Sequence, residues 1–169
     1  KKTASRNEED GYVANGEVGS FANLFRIDFK SVAKIEGTEF DVVYPSLQAA
    51  IDACTTGENT VTLLADNISE NVTVVQAQNK KVTIEGQGKT YKGTITVDGK
   101  SAAYATAALT INNVKFDATN IAKDASINLG GNNSIRYTSN VTVNGCTFTG
   151  TDKTKVGIKN YTAGCKNLV

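Results

Sequence analysis

Histidine is absent from this 169-residue chain, and so is methionine. Without His, neither a Ser-His-Asp nor a Cys-His catalytic arrangement can be built. The commonest transition-metal ligand and the usual general base near neutral pH are missing as well. This absence narrows function more than any motif present. Strong charge of either sign is also lacking. The formal net charge is +1, which gives no electrostatic reason to expect nucleic acid or an anionic membrane as partner. No stretch approaches the roughly 18 apolar residues that a membrane helix needs, so no membrane insertion is expected. Lys1-Lys2 leads into no apolar signal-peptide core, so an export signal is expected outside this sequence. Cysteine is scarce. Cys54, Cys146 and Cys165 are odd in number and lack metal-type spacing, which excludes a full disulfide framework. They read as buried apolar thiols. Neither a cofactor nor a metal site is expected, and no catalytic residue is assigned.

What remains is long enough for one domain with a substantial core. Residues 1–20 are polar and aperiodic, with charge concentrated around Arg6-Asn7-Glu8-Glu9-Asp10, and read as a flexible leader. Residues 21–59 read as an N-terminal cap. Phe21, Leu24, Phe25, Ile27, Phe29, Val32, Ile35, Phe40 and Val42 alternate loosely, as in two or three strands, with Glu36-Gly37-Thr38-Glu39 as a hairpin turn. A helix follows over 46–55. Ser46 is its N-cap, Gly57 its stop, and Leu47, Ala50, Ile51 and Cys54 form one apolar face.

From Thr60 onward short Thr-rich, β-branched runs are separated by Gly, Asn and Asp, and the runs repeat. Val82-Thr83-Ile84-Glu85-Gly86 is echoed by Leu109-Thr110-Ile111-Asn112-Asn113 and by Val141-Thr142-Val143-Asn144-Gly145, and Leu168-Val169 begins the run again. The starts are 27, 32 and 27 residues apart, and a shorter first turn begins at Val61, 21 residues before Val82. A second register holds Thr94-Ile95-Thr96-Val97, Ser126-Ile127-Asn128-Leu129 and Gly157-Ile158-Lys159-Asn160. A third holds Val114-Lys115-Phe116 and Cys146-Thr147-Phe148, with a degenerate version near Lys89-Thr90-Tyr91. Three short strands per repeat, in constant order, predict a three-sided solenoid. The corner between first and third registers keeps Gly or Asn at its second position (Gly86, Asn113, Gly145), as a left-handed conformation requires. An immunoglobulin-like sandwich would also give short strands and polar turns, but it does not predict three registers recurring together. The expected fold is all-β: a right-handed single-stranded parallel β-helix, three strands per coil, with an N-terminal capping α-helix and strands. Residues 60–169 would form about four coils, truncated at the C-terminal end.

Ser46-Leu47-Gln48-Ala49-Ala50-Ile51-Asp52-Ala53-Cys54, Asn59-Thr60-Val61-Thr62-Leu63-Leu64, Glu70-Asn71-Val72-Thr73-Val74 and Lys81-Val82-Thr83-Ile84-Glu85-Gly86-Gln87-Gly88 together resemble the pectin-lyase-like superfamily. The likeness covers residues 46–169 and is nearest to bacterial cell-surface or secreted β-helix proteins. It implies an extracellular or surface location. It leaves activity open, because that superfamily holds lyases, hydrolases, tailspikes and catalytically silent adhesins. Its lyases cluster acidic Ca²⁺ ligands with an Arg or Lys base, and here only Asp98 and Asp124 flank the second register. Its hydrolases pair Asp residues near a His, which this chain cannot do.

Two functions follow. One is a noncatalytic surface module that binds polysaccharide or host glycan, adhesin-like. The alternative is the N-terminal part of a larger polysaccharide-degrading enzyme whose catalytic coils lie elsewhere. The candidate ligand-binding residues are Thr96, Asn128 and Lys159, at outward positions of the second register, with Tyr104, Arg136 and Tyr137 in longer loops near one corner. The competing structural readings are a solvated face for the first three and aromatic cover of the coil edge for the others. The open C-terminal coil is also expected to allow end-to-end self-association.

Overall fold

The computed structural model describes residues 4–7, 11–14, 31–37, 40–99, 106–130, 138, 140–151, 155–161, 165 and 168–169. The chain divides into two compact units, Lys1–Lys30 and Ser31–Val169. In the first, β1 (Ala4–Asn7) and β2 (Gly11–Ala14) pair antiparallel, Ala4 opposite Ala14 and Asn7 opposite Gly11. The polar stretch read as a flexible leader thus carries a strand pair. Backbone hydrogen bonds between neighbouring strands need no hydrophobic period, so composition gave no sign of it.

The second unit begins with a hairpin of β3 (Ala33–Ile35) and β4 (Val42–Tyr44); of the turn expected over 36–39, residues 38 and 39 lie outside the described residues. Helix α1 (Leu47–Ala53) follows, shorter than expected at its C-terminal end. Then come β5 (Gly57–Leu63), β6 (Val72–Val75), β7 (Lys80–Glu85), β8 (Thr90–Tyr91), β9 (Ile95–Asp98) and β10 (Ala108–Asn112). The last elements are β11 (Lys115–Asp117), β12 (Ala125–Leu129), β13 (Val141–Asn144), β14 (Thr147–Thr149) and β15 (Val156–Asn160). The fold is predominantly β, and among the described residues it has one helix. Among the described residues the strands of this second unit form three sheets, ordered β13-β10-β7-β5-β3-β4, β14-β11-β8 and β15-β12-β9-β6. From β7 onward the chain visits the three sheets in constant rotation, and every pairing between successive visits is parallel.

Registers explain the core. Ile84 lies beside Ile111 and Ile111 beside Val143, while Ile95, Ile127 and Ile158 line up on another sheet. Phe116 is opposite both Tyr91 and Phe148. Its ring stacks on Phe148 at 5.0 Å between centroids and meets Tyr91 edge-on at 5.9 Å. Both geometries suit aromatic quadrupoles. Because side chains alternate along a strand, the same registers place Thr60, Thr83, Thr110 and Thr142 in one half-buried row. At the corner Asn144 Nδ2 donates to Asn112 Oδ1 at 3.2 Å.

Two expectations are corrected. Val61 pairs with Ile84, and Asn59 with Val82, so the first level stands two residues out of the expected register. A shift of two preserves facing, and Val61 is still buried. At the corner, Asn113 and Gly145 adopt left-handed backbone (φ 54° and 58°), but Gly86 does not. There the left-handed residues are Gln87 and Gly88. Gly86 is needed for space instead, because a Cβ would lie 2.5 Å from Val114 Cγ2 and 2.6 Å from the Asn113 carbonyl oxygen.

The cap is tied down by its own N-cap and by contacts with distant sequence. Ser46 Oγ accepts from the Ala49 N–H at 3.0 Å, and Glu70 accepts from the Leu47 N–H. Leu47, Ala50, Ile51 and Cys54 face the core, and burial pushes the Cys54 thiol pKa up. The edge of β6 would otherwise expose unpaired backbone groups. Gln48 closes it like a short strand, with Oε1 accepting from Thr73 N–H at 2.7 Å and Nε2 donating to Thr73 O at 3.1 Å.

Candidate functional site

The four-stranded sheet aligns one outward row of side chains. Thr73 on β6 is opposite Thr96 on β9, Thr96 is opposite Asn128 on β12, and Asn128 is opposite Lys159 on β15. A cavity of about 270 Å³ opens over the first three strands, walled by Asn71, Thr73, Thr94, Thr96, Lys123 and Asn128. Two of the expected residues, Thr96 and Asn128, are thus brought together. Lys159 shares their row but does not line the cavity.

Asn128 departs from its expected solvated position. It is only 3% exposed, and all five residues of β12 are buried on both faces. Its Nδ2 donates to Ala125 O at 3.0 Å. Among the described residues its Oδ1 has no hydrogen-bond partner. A buried acceptor left unpaired costs about 1–3 kcal/mol, and β12 carries a second such group, the Ser126 hydroxyl. On the opposite wall Asn71 Oδ1 accepts from both the N–H and the hydroxyl of Thr94, at 3.0 and 2.9 Å. That pairing braces the start of β9.

Lys159 has a different task. Its Nζ lies 2.5 Å from Asp124 Oδ2 and 4.9 Å from the centre of the Tyr161 ring. The hydrogen bond to Lys159 and its charge hold the Asp124 carboxyl below the usual carboxylate range, and the same bond raises the Lys159 pKa. Both groups are solvated, so the pair orders this corner more than it stabilises the fold. Tyr104, Arg136 and Tyr137 lie outside the described residues.

Lys123, Asn71 and Thr73 were not anticipated. Lys123 sits in the variable connection 117–125, where no periodicity marks a residue. Thr73 was legible in principle, since Val72-Thr73-Val74 alternates like Ile95-Thr96-Val97, but its spacing to Thr96 is shorter than the later repeats. A second cavity of about 190 Å³ lies where the last level ends, lined by Phe148, Lys155 and Val156 among others. Among the described residues, no three Cys, Asp or Glu side chains are close enough to hold a metal ion. No helix among them is long and apolar enough to cross a membrane. Compared with protein-family models, curated proteins and solved structures, the chain matches none.

Proposed function

We propose that Ser31–Val169 is a stretch of right-handed, three-sided parallel β-helix of the pectin-lyase-like kind. Its function is that of a noncatalytic bacterial surface or secreted module that binds polysaccharide or host glycan. The fold reading is supported by the constant rotation among three sheets and by in-register parallel pairing of strands about thirty residues apart. Right-handedness follows from the strong preference of parallel crossovers for that hand. The functional reading is carried by one observation: the polar row Thr73–Thr96–Asn128 opens into a cavity on an otherwise regular sheet. Stacked strands repeat every ~4.8 Å, so such a row offers the Thr73 and Thr96 hydroxyls at a regular pitch to an extended chain of sugars.

Two assays on the chain test this. A glycan array should show saturable binding that weakens when Thr96→Val and Thr73→Val are combined. A Ca²⁺-dependent absorbance assay on polygalacturonate should stay flat. Unsaturated product formed by these residues alone would replace the binding module with a lyase. Absence of binding across the array would remove the functional reading and leave the fold untouched.

A further inference from the structure

The net charge of +1 conceals a separation of charge along Ser31–Val169. Residues 31–75, the cap and first level, hold one Lys against seven Asp and Glu. Residues 76–169 hold twelve Lys and Arg against five acids. Each level pairs with the one before it, so order in the sequence becomes position along the stack. An acidic end is followed by a basic body.

The fold gathers part of the basic charge at one corner. The connections that lead from β8, β11 and β14 to β9, β12 and β15 carry Lys92, Lys123 and Lys155, one on each of three successive levels. Such levels lie ~4.8 Å apart. Lys92 and Lys123 are exposed and Lys155 is half-buried. Among the described residues none of the three is ion-paired, and Asp124, which feels the charge of both Lys123 and Lys155, is held by Lys159. At the acidic end Asp52 on α1 and Asp66 beside the first level are exposed, and neither is ion-paired among the described residues. That end also exposes Phe40, Val42 and Val43, on and next to the edge strand β4. Apolar side chains set among charges mark an interaction surface more than a coat for solubility.

Opposite charges on one molecule select the partner. A polyanion drawn to the lysine corner would be repelled by the acidic end, whereas a second copy brings the complement of both. A net charge near zero leaves little long-range repulsion between copies. We propose that the chain associates with itself head to tail, the acidic cap of one copy against the Lys92–Lys123–Lys155 corner of the next. The two surfaces differ, so the contact is heterologous, and each copy in a pair keeps one surface free for a further neighbour.

Sedimentation velocity on the intact chain tests it. At about 10 mM salt, where charges are screened over ~30 Å, the average mass should rise with concentration, and at about 1 M, where they are screened over ~3 Å, it should return to the monomer. Lys123→Gln combined with Lys155→Gln disables the corner, and Asp52→Asn combined with Asp66→Asn disables the cap. Each double variant should melt like the parent chain and stay monomeric at low salt. Mixed in equal amounts they should form a dimer and nothing larger, because each retains the surface that the other lacks. Lys89→Gln combined with Lys115→Gln, the same charge change on the β7–β8 connection and on β11, should associate like the parent. Failure of the mixture to recover a dimer, or an equal loss in the Lys89 and Lys115 variant, would overturn the head-to-tail contact. A monomer at every concentration at low salt would overturn it too, and if that monomer co-sediments with inorganic polyphosphate, the corner serves a polyanion instead.

Discussion

The corner between the first and third strand registers offers a sharp test, because one glycine there serves geometry and another serves space. Gly145 has φ 58°, and a Cβ built on it would approach Asn113 Oδ1 at 2.6 Å, the far end of an exposed side chain whose amide donates to Glu85 at the surface. Asn tolerates left-handed backbone, and Asn113 occupies the equivalent position one level earlier with φ 54°. Gly145→Asn should therefore cost no more than about 0.5 kcal/mol, like an ordinary surface change. Gly86 is buried and lacks the left-handed backbone. Its Cβ would sit 2.6 and 2.9 Å from the backbone oxygen and carbon of Asn113, so the next level itself would have to move. Overpacking of this kind costs about 1–3 kcal/mol, and Asn would add the burial of an unpaired amide, for a total of about 3 kcal/mol. At about 2–4 °C per kcal/mol for a domain of this size, Gly86→Asn should lower Tm by about 6–12 °C, against at most ~2 °C for Gly145→Asn. Thermal melts by circular dichroism measure both. Equal melting temperatures would refute the steric argument and with it the close approach of Gly86 to the strand stacked beside it.

Other outcomes follow from the same packing. Phe116, buried between two rings, should lose about 3–5 kcal/mol on Phe116→Ala in urea denaturation, and Phe148→Ala clearly less, because Phe148 is already 38% exposed. Asp124 should titrate, by carbon-detected NMR, below its ordinary value of 3.8, and Lys159→Met should raise it toward that value. Since its folded pKa is the lowered one, the pair's contribution is present above the ordinary carboxylate pKa and fades as pH falls through the folded value. Gln48→Ala removes both side-chain bonds to the Thr73 backbone. It should speed hydrogen exchange of the Thr73 amide and cost about 1–2 kcal/mol, and an unchanged exchange rate would refute the edge closure.

Much of the fold was legible because repetition gives the same information several times. Ile111 is one apolar residue among many, but Ile84, Ile111 and Val143 each follow a Thr and precede Glu or Asn, and that shared frame fixes their alignment. The first level was misjudged for the opposite reason. It has a single example, β5, and the choice between Asn59 and Val61 opposite Val82 leaves the same residues facing inward, so patterning could not decide it. Gly86 misled because a glycine required for space and one required for a left-handed turn are identical in sequence.

The candidate site was less legible, and the cause is physical. A row such as Thr73–Thr96–Asn128 follows from register, and register can be read wherever core residues enforce it. Whether a row is open or covered depends on the connections, which lengthen and shorten without disturbing the strands. Asn128 shows the consequence: the alternation of β12 calls it outward, yet it is as buried as its apolar neighbours. Lys123 shows the converse, a residue with no pattern that becomes a cavity wall from the connection between β11 and β12. In a fold of this kind the strands determine where polar groups can line up, and the irregular segments between them determine which of those groups meet a ligand. The chemistry is therefore to be sought first in connections such as 117–125, where the repeat is silent.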